Sequence, residues 1–149
     1  LIYVKSYFYR LAELCGKFIA MNTLLWFCQG IVAVVFLYSG INKSILNQQT
    51  LIARGQTGVT GLHPALIRFI GISEVLGAVG LIFPWWMGIA PILTPVAAGC
   101  FAVIMVLAAI THTRLLLRTG NRRELQNIAT NIVLFSLCVG IAWGRLVGL

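Results

Sequence analysis

Four runs of apolar residues, at about 24–42, 65–83, 87–111 and 128–147, decide what this chain can become. Each approaches or exceeds the ~20 residues that a helix rising 1.5 Å per residue needs to cross about 30 Å of hydrocarbon. Inside a bilayer every backbone N–H and C=O must find its partner within the protein, so such runs become helices. The predicted fold is all-α, a polytopic membrane protein built as a four-transmembrane-helix bundle. Composition argues against the soluble alternative. Of the 149 residues, 60% are hydrophobic and only 9% charged, against about 25% charged in a soluble domain. That is too little charge to coat a globular surface, so the lipid bilayer is the first expected partner.

The net charge is +8, and the acids are Glu13, Glu74 and Glu124 alone. A basic balance can signal nucleic acid, but here the arginines flank apolar runs. They read as topology signals and phospholipid contacts, and no nucleic-acid partner is expected. Cys15, Cys28, Cys100 and Cys138 are scattered without a C-x-x-C pair, so they read as small hydrophobes, and neither a disulfide framework nor a metal site is indicated. Residues 1–20 mix aromatics with Lys5, Arg10 and Lys17. They are expected to be an extension to the membrane domain at 21–149. They read as upstream sequence translated from a wrong start, since Met21-Asn22-Thr23 directly precedes the first strong span. An interfacial helix or a fragment edge are the other readings. A cleaved signal peptide is disfavoured, because the run after Met21 is too long for an h-region.

The connections differ in character. Residues 44–63 form a polar loop with one short interfacial helix expected around 45–54. Pro84-Trp85-Trp86 reads as a tight turn, and residues 113–125 as a basic loop. We call the end of the bundle holding the Pro84 turn and the C-terminus side A, and the end with the two longer loops side B. Trp26, Trp85, Trp86 and Trp143 all fall on side A as an interfacial belt. Seven basic residues lie on or near side B (Lys43, Arg54, Arg68, Arg114, Arg118, Arg122 and Arg123), against Arg145 alone on side A, or four with the extension. The positive-inside rule then makes loops 44–63 and 113–125 cytoplasmic and puts the termini outside.

Glu74 is the anomaly within the second run, because a carboxylate in hydrocarbon costs roughly a few kcal/mol. Gly71 and Ala78 share its helix face at i−3 and i+4, and small residues permit close helix approach, so Glu74 is expected to point into the bundle. Lys43 closes span one, His112 closes span three and Asn131 lies early in span four, all towards side B. The expected polar layer is therefore Lys43, Glu74, His112 and Asn131, with Glu74 paired to Lys43 and the other two completing its hydrogen bonds. It serves either to bind a polar or redox ligand or merely to fix helix register. Gly140, Gly144 and Gly148 form a tandem G-x-x-x-G run, with Gly140 opposite Asn131. They are expected as a helix-packing interface for a homodimer or a partner subunit. The side A halves of the spans read as almost wholly apolar.

These residues also carry a resemblance. Phe36 to Lys43 resembles an F-x-x-x-G-x-x-K signature. Arg68 to Pro84 (RFIGISEVLGAVGLIFP), Pro91 to Ala98 and Ala108 to His112 follow the same pattern, and Glu124, Asn131, Gly144 and Arg145 fall at matching spacings. From Met21 to Arg145 the chain resembles the DoxX family, in its DoxX-like branch. The resemblance implies a four-helix protein of the inner (cytoplasmic) membrane. The member that names the family is a subunit of a thiosulfate:quinone oxidoreductase, and other relatives look like membrane anchors in complexes linked to thiol or oxidative stress. What is implied is a membrane subunit or scaffold of a redox-linked complex, with an oxidoreductase or thiol-handling partner and quinone as the one cofactor to expect. No catalytic residue carries over. A small-solute transporter and a purely structural membrane protein are the competing classes. A transporter needs a polar path from side A to side B, which apolar side A halves oppose.

Overall fold

The computed structural model describes residues 2–148, with side chains described from Glu13 onward. The described chain is helical, with α1 over Ile2–Ile45, α2 over Gln48–Ala53, a 3₁₀ turn at Thr57–Val59, α3 over Pro64–Met87, α4 over Leu93–Thr119 and α5 over Arg123–Leu146. Helices α1, α3, α4 and α5 are each long and apolar enough to cross a membrane. They form a ring in which α1 packs on α3, α3 on α4, α4 on α5, and α5 back on α1. Residues 2–20 continue α1 without a break.

One spacing explains which side chains face inward. The buried residues include Gln29 and Phe36 on α1, Ile67, Glu74 and Leu81 on α3, Ala98, Met105 and His112 on α4, and Glu124, Asn131, Cys138 and Arg145 on α5. Within each helix these recur every seven residues, and others fall three or four residues from them. A seven-residue seam is narrow, as in coiled coils and bundles that interlock side chains along one stripe. The remaining faces carry exposed leucine, valine, isoleucine and phenylalanine, the surface a lipid solvent requires. At mid-height the seam is dry. Phe36 stacks on Phe101 with ring centroids 3.7 Å apart, and Val32, Ala98, Leu134 and Cys138 close around them.

The connections depart from expectation in two places. Pro84-Trp85-Trp86 is not a turn: α3 runs through Pro84 to Met87, and the reversal falls at 88–92, with Gly88 (φ 67°) and Ala90 (φ 49°) in left-handed conformation. A proline inside a helix removes the N–H that would bond four residues back, and the kink loosens the next bond. Here both carbonyls are served from neighbouring helices. Thr94 Oγ1 donates to Gly80 O at 3.4 Å, and Gln29 Nε2 donates to Leu81 O at 2.7 Å. The helix can continue because the freed acceptors are satisfied. The basic loop also shrinks, since α4 extends to Thr119 and α5 starts at Arg123. Glu124 therefore sits in the first turn of α5, where the helix dipole favours an acid.

The segment between α1 and α3 folds as a small cap on side B. Asn47 caps α2 by accepting from Thr50 N at 2.8 Å, and Leu51, Val59 and Ile67 form an apolar cluster beneath it. His63 caps α3 through Nδ1, which accepts from Ala65 N at 3.3 Å, and Pro64 fills the first helical position, where no donor is needed.

Candidate functional site

The side B polar layer is built from an unusually close approach of α1 and α3. A Cβ on Gly71 would lie 2.7 Å from Gly40 O, and one on Gly40 would lie 2.6 Å from Gly71 O. Only glycine fits at either position, and the two backbones touch there. Lys43 packs over Gly71 and Glu74 over Gly40, one turn to either side of this contact, and because helical side chains tilt towards the N-terminus the two lean towards one another on antiparallel helices. Lys43 Nζ lies 2.5 Å from Glu74 Oε1. The Lys43 side chain is 16% exposed and that of Glu74 is 2% exposed. The lysine stem thus reaches inward from the interface to meet a fully enclosed acid. Glu74 Oε2 is buried with no donor among the described residues.

His112 and Asn131 do not complete this pair, contrary to expectation. His112 Nδ1 donates instead to Glu124 Oε2 at 2.6 Å, with His112 8% and Glu124 3% exposed. The same oxygen accepts from Thr57 Oγ1 at 3.1 Å and Asn127 Nδ2 at 3.4 Å. Gly58 lies over the other edge of the ring, where an added Cβ would stand 3.2 Å from His112 Nε2. Glu124 claims the histidine because it opens α5 beside the end of α4. This second pair ties the cap to the bundle through Thr57. Asn131 is one turn deeper than Asn127, 8% exposed, and its Nδ2 has no acceptor among the described residues. It lines a groove between α4 and α5 and stands apart from Lys43 and Glu74.

The glycines of α5 do not form one outward stripe. Gly140 is exposed and opposite Asn131, and Gly148 (φ 82°) is exposed beyond the helix end. Gly144 is buried, and a Cβ there would lie 2.7 Å from Leu25 Cδ1 of α1. It packs within the bundle because α5 closes on α1 at this level.

Side A also holds a polar layer, where apolar surroundings are expected. Arg145, expected as a flanking topology signal, is only 3% exposed. Its Nε donates to Gln29 Oε1 at 2.7 Å and its Nη1 to Asn22 Oδ1 at 2.6 Å. The guanidinium carbon lies 5.1 Å from the Trp26 ring centroid and 4.5 Å from that of Trp85. Rings at these distances offer their negative faces to the cation. Arg145 therefore orients Gln29, and Gln29 serves the carbonyl loosened by Pro84. Two of the four tryptophans belong to this cage, while Trp86 and Trp143 face outward.

A four-span helical membrane protein with a charged layer near each end and a dry aromatic middle is thus the class that fold and site define. The family model for the DoxX-like family matches residues 27–141, which include Lys43–Glu74, His112–Glu124 and Gln29. The chain belongs to the DoxX-like family. No curated protein and no solved structure matches it.

Proposed function

We propose that the chain is a membrane subunit or scaffold of a redox-linked complex in the cytoplasmic membrane, and that its Lys43–Glu74 layer receives a quinone head group. The reading rests on one observation: Glu74 shares one carboxylate oxygen with Lys43 and keeps the other buried without a donor among the described residues. A quinol hydroxyl can donate to the free oxygen, and a quinone carbonyl can accept from the Lys43 ammonium. The pair is thus chemically complementary to both redox forms without changing its own composition. His112 and Glu124 hold the cap above this layer in the proposed site, and they contribute placement rather than contact. The partner expected is an oxidoreductase or thiol-handling subunit, as the DoxX resemblance implies.

Orientation follows from charge. Lys43 is drawn into its ion pair and Arg145 is buried, so neither counts as a flanking signal. The exposed Arg54, Arg68, Arg114, Arg118, Arg122 and Arg123 all lie on or near side B, so the positive-inside rule assigns that side to the cytoplasm. The test is purification in mild detergent with quantification of co-purifying quinone and protein. Lys43→Met and Glu74→Gln are expected to lose quinone while remaining helical and monodisperse. Full retention of quinone in both variants would end this reading.

A further inference from the structure

We propose that the groove between α4 and α5 is a site for an anionic phospholipid, with the phosphate on Arg114, a fatty-ester carbonyl on Asn131 and an acyl chain along the apolar wall. The groove encloses about 570 Å³ and is walled by Val106, Ile110, Ile132 and Phe135, within the roughly 300–1,000 Å³ of small-molecule sites. Its wall residues are exposed on the outer surface of the bundle, so an occupant enters from the lipid.

Two independent observations select the occupant. The first is charge. Arg114 lines the groove, Arg118 follows one turn on, and Arg122 and Arg123 join the two helices, all exposed. The chain has three acids, and each is taken: Glu13 by Lys17, Glu74 by Lys43, Glu124 by His112. This basic hairpin therefore has no protein counter-charge to turn to, and basic pockets between membrane helices suit anionic lipid head groups. The second is an unmet donor. Asn131 is more than nine-tenths buried, lines the groove, and its Nδ2 has no acceptor among the described residues. A buried donor left unpaired costs about 1–3 kcal/mol, so an acceptor is wanted there.

The order of the two groups matches a phospholipid. Arg114 stands five residues from the side B end of α4, and Asn131 stands eight residues from that end of α5. At 1.5 Å per residue the amide is about 4–5 Å deeper than the arginine. A phospholipid presents phosphate, then ester carbonyl, then chain in that order going inward. The inference stands independently of the quinone reading, because none of its contacts involves Lys43 or Glu74.

Native mass spectrometry of the full chain in detergent, titrated with phosphatidylglycerol or phosphatidylcholine, tests it. Phosphatidylglycerol is expected to bind at least fivefold more tightly. Arg114→Gln should weaken it about fivefold, the equivalent of ~1 kcal/mol per basic residue at a membrane surface. Arg68→Gln removes the same charge from exposed α3, away from the groove, and should change binding less than twofold. Ala109→Phe fills the groove floor and should abolish the site for either lipid. Equal binding of the two lipids, equal loss in Arg114→Gln and Arg68→Gln, or an Ala109→Phe effect on protein dimerisation in place of lipid would each overturn the proposal.

Discussion

Removing either member of the Lys43–Glu74 pair should destabilise the protein, but by unequal amounts. The contact is 2.5 Å, with side-chain exposures of 16% and 2%. Breaking a buried ion pair from one side typically costs about 3–5 kcal/mol, because the abandoned charge stays buried. Lys43→Met meets that condition fully: Glu74 has one oxygen already without a donor and cannot reach water. A loss of about 3–5 kcal/mol is expected. Glu74→Gln strands a lysine near the end of α1, whose four-carbon stem can turn back to the interface. Its amide also keeps an acceptor for the ammonium, so the loss should be about 1–2 kcal/mol. Lys43→Met combined with Glu74→Gln removes both charges and should cost less than Lys43→Met alone, which gives a coupling of about 1–2 kcal/mol or more. Reversible unfolding in mixed detergent–SDS micelles, read by helical circular dichroism, supplies the three free energies. The reasoning fails if Lys43→Met costs no more than Glu74→Gln, or if the double variant is simply the sum of its parts.

Other positions give sharper local tests. Gly71→Ala places a methyl 2.7 Å from Gly40 O and should cost about 1–3 kcal/mol by prising α1 from α3, whereas Gly140→Ala, with nothing within 4 Å, should be neutral in the same unfolding assay. Gln29→Leu leaves both Leu81 O and the Arg145 Nε without this partner, and a drop of about 2–4 kcal/mol is expected from two lost buried hydrogen bonds, one of them charged. His112→Ala cuts the link from Glu124 to the ring beneath Gly58. It should speed hydrogen exchange across 48–62 while leaving α1 and α3 protected, and uniform exchange would place the cap's anchorage elsewhere.

The four crossings were legible because run length against bilayer thickness leaves little choice. So was the inward direction of Glu74, since Gly71 and Ala78 mark its face as the one that approaches another helix. The partner of His112 was not. The basic stretch after His112 looks like a loop because Arg114 and Arg118 interrupt the apolar run, yet a helix outlasts the hydrocarbon when its arginines reach the interface. Placing the loop end at 125 then hid Glu124. A signal was present nonetheless: Glu124, Asn131, Cys138 and Arg145 are spaced by seven and all are buried. That period, carried to its end, marks Arg145 as an interior residue rather than a flanking charge. Pro84 misled for a different reason. A proline marks a helix end only when the carbonyls it frees stay unmet, and the donors that meet them come from Gln29 and Thr94, which local sequence cannot reveal.

The second polar layer reopens the question of transport, because apolar side A halves no longer argue against it. The geometry between the layers does. Gln29 and Lys43 are fourteen residues apart on α1, about 21 Å along the axis. The interval is filled by the Phe36–Phe101 stack and by Val32, Ala98 and Cys138, all 0–2% exposed. A polar solute crossing it would shed its hydration with no group to replace the lost hydrogen bonds, a cost of several kcal/mol for each unpaired group. The Arg145 cage is also spent on the fold, since it sustains α3 through Pro84. Each layer therefore serves its own end of the bundle. The proposed head-group site falls at Glu74, on side B, where a buried carboxylate oxygen has no donor among the described residues.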